Sequence, residues 1–108
     1  MRLKGVLVTG QLTASAVSCY TATVPGKIVN ASFCNTDTVD RTVTAHIVPL
    51  GGSATSENMV LDARTVPTAD SILVPELMHA VNKGDRIMLL ASAVTAISVR
   101  ISIVEYDK

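Results

Sequence analysis

The chain has 108 residues and a mass of 11.3 kDa, about one small domain. With 48% hydrophobic and 17% charged residues it is too apolar to be disordered, and its nine basic and nine acidic residues cancel, which argues against a dedicated nucleic-acid binder. No apolar run is long enough to span a membrane.

Valine, isoleucine and threonine together supply 34 residues, whereas glutamate and lysine number three and four. β-Branched side chains suit a pleated, half-buried surface, so an all-β domain is expected. In chain order, residues 5–13 read as a first strand or an extended arm, and 18–23 as a short second strand carrying Tyr20. Val24-Pro25-Gly26-Lys27 is a turn, because proline presets one dihedral and glycine permits a positive one. Residues 27–35 follow as a strand, with Val29, Ala31 and Phe33 expected on one face and Asn30 and Ser32 on the other. Asn35-Thr36-Asp37-Thr38 is a polar turn.

Residues 41–49 show the clearest alternation. Val43, Ala45 and Ile47 are expected on the dry face, and Thr42, Thr44 and His46 on the wet one. Gly51-Gly52-Ser53 then opens a loop, expected to be flexible, as far as about Asn58. Residues 59–65 and 71–74 are strands stopped by Pro67 and Pro75. Residues 76–81 form a single helical turn or a tight loop, and 86–92 another strand after the Asn82-Lys83-Gly84-Asp85 turn. The last strand, 96–106, is expected to place Ile97, Val99, Ile101 and Ile103 inward and Ser98, Arg100 and Ser102 outward. A one-residue slip would bury Arg100, so its register is strongly specified.

About eight short strands at this spacing define a single antiparallel β-sandwich or jelly roll. The expected division is a sandwich over 17–108 preceded by an N-terminal strand or arm over 1–16. The small residues Thr13-Ala14-Ser15-Ala16 offer a hinge through which that arm could be exchanged between subunits. Cys19 and Cys34 stand in no metal-type or C-x-x-C spacing and read as small reduced core residues. No signal peptide opens the chain, so synthesis in a cytoplasm is expected.

No catalytic, cofactor-binding or metal-binding residue is nominated, and the chain is expected not to be an enzyme. His46 and His79, the only histidines, lack the spacing of a zinc site. Gly51-Gly52-Ser53 is loop chemistry rather than a nucleophile elbow. Asp37, Asp40, Asp62, Asp70 and Asp85 fall mostly in turns, where aspartate bonds its own backbone. Only three aromatics are present, Tyr20, Phe33 and Tyr106, with Phe33 assigned to the core. A core built from small aliphatics is thin, and a chain this size hides roughly 65% of its unfolded surface. The remaining apolar area is expected to be buried between identical subunits.

The ordered series Tyr20-Thr21-Ala22-Thr23-Val24-Pro25, Cys34-Asn35-Thr36, Arg41-Thr42-Val43-Thr44, Val48-Pro49-Leu50-Gly51-Gly52 and Gly84-Asp85-Arg86-Ile87, with the alternating strand 98–104, resembles small bacteriophage virion structural proteins of the β-sandwich type. The likeness covers about residues 11–106. It implies an oligomeric virion component, foremost a capsid decoration or cement protein, with a trimer favoured. Its partners are then copies of itself and other virion proteins, such as the major capsid protein or tail components, with no nucleic acid and no membrane. Arg2, Lys4, Lys27, Arg41, Arg64 and Arg100 are the cations that could meet acidic patches on such partners. A tail, collar or fibre-anchor component is the alternative. A host-glycan-binding module, with Tyr20 and Tyr106 as its aromatic candidates, is a second alternative.

Overall fold

A computed structural model describes residues 2–107. Among these, nine strands form two antiparallel sheets: β1 (Arg2–Gln11), β2 (Val17–Thr21), β3 (Gly26–Asn35), β4 (Arg41–Val48), β5 (Met59–Val66), β6 (Ser71–Leu73), β7 (Ala80–Val81), β8 (Arg86–Ala91) and β9 (Ile97–Asp107). One sheet, A, runs β1-β9-β3-β6, with the two-residue β7 also on β3; the other, B, runs β2-β8-β4-β5. The pairings are nested: β1 with β9, β2 with β8, β3 with β6, β4 with β5. This is the jelly-roll pattern, and the strand count exceeds the expected eight only by β7. Residues 76–81, expected as a single helical turn or a tight loop, divide into a 3-10 turn (Pro75–Leu77) and β7.

The core lies between the sheets. Ile28, Ala31 and Phe33 of β3 and Ile97, Val99, Ile101 and Ile103 of β9 face Val43 and Ala45 of β4 and Ile87 and Leu89 of β8. Burying each larger aliphatic or aromatic side chain contributes roughly 1.5–3 kcal/mol. The alternation in β9 holds along its length, because both neighbours pair with it closely. In β3 it does not. A register shift between Ile28 and Asn30 turns Val29 outward, 39% exposed, while Ile28 takes the inward place. The expected company of Val29 with Ala31 and Phe33 is corrected by that bulge.

β4 departs from the alternation for a different reason. Thr44, His46 and Val48 occupy its outer face, yet all three are buried. β5 bulges beside Thr44, with Ala63 at a φ of 45°, and Thr44 Oγ1 accepts the displaced Ala63 N–H at 3.1 Å. The loop after β4 folds back over the rest. His46 Nδ1 lies 3.1 Å from both Thr55 O and Asn58 Oδ1. Both are acceptors, so the hydrogen-bond network assigns the proton to Nδ1. Asn58 also accepts the Thr55 N–H and donates to Ser53 O, and Arg86 donates to Gly52 O. The loop expected to be flexible is therefore tied to the sheet, with a 3-10 turn at Ser56–Asn58.

Gly26 marks where β3 enters the sheet. A Cβ there would lie 2.7 Å from Val104 O, so only glycine lets the two backbones approach this closely.

Candidate interaction surfaces

The residues considered for chemistry are dispersed. His46 is consumed by the loop it holds, and His79 stands exposed between the 3-10 turn at Pro75–Leu77 and β7. Ser53 O accepts from Asn58, and Asp40, Asp70 and Asp85 each cap a backbone N–H of a nearby turn, at Thr68, Ser71 and Asn82. Asp62 is exposed on β5. In the turn after β3, Asn35 is buried: its amide donates to Val39 O and Val66 O, and its Oδ1 accepts from Asp37 N. Asp37 accepts from Thr38 N and from Arg41. Those two contacts, the backbone one larger, hold its carboxyl below the usual carboxylate range. Among the described residues, no three His, Cys, Asp or Glu side chains gather as a metal site would require.

The two cysteines are free and half-buried rather than fully buried. Cys19 packs against the core, where burial raises its thiol pKa. Cys34 opens onto the outer face of sheet A.

Tyr20 and Glu105 join the sheets. The phenol, on β2, donates to the buried Glu105 carboxylate, on β9, at 2.5 Å. Burial first, and then the hydrogen bond and negative charge of Glu105, push the phenol well above its ordinary value. Tyr106 follows Glu105 and so faces the opposite side of the sheet. The two tyrosines therefore do not share a surface, and no local pattern in the sequence marks the Tyr20–Glu105 contact.

Two shallow open hollows lie on the outer face of sheet A. Its apolar end carries Leu3 and Leu7 of β1, Val29 of β3, and Val104 and Tyr106 of β9; Leu3 is 63% exposed and Leu7 51%. A shallow hollow lies there between Gly5, Leu7, Val29 and Val104. A second hollow is lined by Thr9, Gln11, Ser32, Cys34, Ser98 and Arg100. Arg100 borders both and sits opposite Thr9 on one side and Ser32 on the other. Of the cations considered, Arg41 is paired with Asp37 and Arg64 with Glu76. Among the described residues Lys27 and Arg100 make no ion pair and remain available on this face.

No protein-family model matches the sequence, and no curated protein matches it. Solved structures do share the fold. A chain of the Bacillus endospore appendages, a family of disulfide-linked pili, aligns with a TM-score of 0.59 at 17% identity, over 97% of this chain and 86% of that one. A chain of infectious bursal disease virus, Gx strain, aligns with a TM-score of 0.56 at 13% identity, over 95% of this chain. A chain of the T13 particle of that virus gives 0.54 at 10% identity, over 96%. This chain spans only 32% and 31% of the length of those virus proteins. At such identities the shared property is the jelly roll itself.

Proposed function

We propose that the chain is a structural subunit of a bacteriophage virion that acts by adhesion to its own copies and to other particle proteins, foremost as a capsid decoration or cement protein. The observation that carries this reading is the outer face of sheet A, where exposed leucines and the exposed Arg100 share one open, shallow surface. Contiguous exposed apolar area of this sort marks a contact site. The total surface, 5857 Å², is ordinary for a monomer of this mass, for which about 5,700 Å² is expected. The apolar surplus thus lies in where the leucines sit, not in an enlarged surface. Many weak contacts made through one rigid oligomer would add up by multivalency.

A tail or collar position is the alternative within the virion. A second reading, a subunit of a surface filament, is favoured by the alignment that spans most of the appendage chain. Particles purified from the strain that carries the gene test the reading by gel densitometry. A decoration protein is expected on the order of hundreds of copies per particle, and a tail or collar component at about six or twelve. Recovery only in the soluble fraction, with none in particles, overturns the proposal.

A further inference from the structure

The free edges of the two sheets are not alike. β6 has three residues and β7 two. β5 loses register with β4 twice, and β2, five residues long, is irregular between Ser18 and Tyr20. β1 differs from all of them: ten residues in unbroken register with β9, and no proline. Short or bulged edges resist a further strand, whereas a long regular edge accepts one. Every second residue of such an edge directs its N–H and C=O away from the strand it already pairs with.

We infer that β1 is the edge through which two copies of this chain join, antiparallel, around a two-fold axis normal to the sheet. This deepens the adhesion reading and rests on it, naming both the element and the partner. A second copy is the fitting occupant because, among the described residues, no other free edge offers ten residues in unbroken register, whereas β1 is compatible with itself. A two-fold pairing must keep each face continuous, so residues of like parity stand opposite one another. Centred on Val6, the pairing sets Leu7 against Gly5 of the second copy, Leu3 against Thr9, and Lys4 against Val8. The lysines are then not opposed, and the exposed leucines of both copies lie on one face. The path β6-β3-β9-β1 continues into its symmetry mate as a single sheet, eight strands along the path with a β7 on each β3, and with the symmetric contact typical of dimers.

Amide hydrogen exchange on the full chain, above and below the association midpoint, reads this joint. A dimer, or another even-numbered assembly, is expected in light scattering, with all β1 amides protected in it and every second one exchanging freely on dilution. Leu7→Lys is expected to weaken association at least about tenfold by setting like charges near one another across the joint. Its thermal midpoint, taken in dilute solution, stays near that of the parent because Leu7 is exposed there. Leu73→Lys, at the opposite edge of the same sheet and 64% exposed in the parent, leaves association unchanged. A trimer, an oligomer whose outward β1 amides still exchange freely, or equal weakening by both substitutions overturns the inference. A monomer at every concentration overturns it too. In the first three cases the adhesion reading stands as long as the chain is found in particles, and in the last it stands only for contacts with other particle proteins.

Discussion

Tyr20 and Glu105 illustrate how much can depend on one contact between residues 85 positions apart. Removing the phenol hydroxyl leaves a buried carboxylate without its donor. Tyr20→Phe is therefore expected to lower stability by roughly 1–3 kcal/mol in urea unfolding. The same pair sets an alkaline limit. A phenol that ionises less readily when folded binds its proton more tightly in the native state. Its contribution is complete below the ordinary phenol value of about 10 and is lost as pH climbs beyond it. Unfolding measured above that value should show a decline that Tyr20→Phe lessens; an identical decline in the variant would refute the assignment. Asp37 acts in the opposite direction. Its depressed pKa lends stability at neutral pH that is lost as acid protonates the folded carboxylate.

At the scale of elements, the loop over β4 depends on Asn58, which meets Ser53, Thr55 and His46 at once. Asn58→Ala is expected to cost about 1–3 kcal/mol and to open residues 50–58 to limited proteolysis while the strands stay resistant. Unchanged cleavage kinetics would show that the loop is held by other means. Strand positions were legible in the sequence because period-2 patterns and Pro/Gly punctuation are local signals, and β9 is the clearest case. The outer face of β4 was not legible. Thr44 and His46 look like solvated positions until a later segment folds across them, and nothing adjacent announces that return. Val29 was misplaced for a related reason: one bulge reverses the side on which a residue falls, and bulges leave little trace in composition. Of the candidate surface, Arg100 was correctly placed outward, whereas the regularity of β1 relative to the other edges appears only once all the pairings are known.

At the scale of the molecule, the nested pairings join β1 to β9 across the whole domain, Arg2 opposite Asp107 and Gln11 opposite Ser98. Loop-closure entropy must be overcome before such contacts can form, so refolding is expected in milliseconds to seconds, as for other β-rich domains of high contact order. Stopped-flow dilution from urea measures this directly; complete recovery in microseconds would mean that the end-to-end pairing does not limit the rate. The same arrangement has a consequence during synthesis. β1 leaves the ribosome ahead of every other strand of this domain and has no partner within it until β9 has been translated. Throughout that interval both of its sides are bare, so a polysome carrying many nascent chains presents many such strands together, and chaperone occupancy of β1 should persist until β9 emerges.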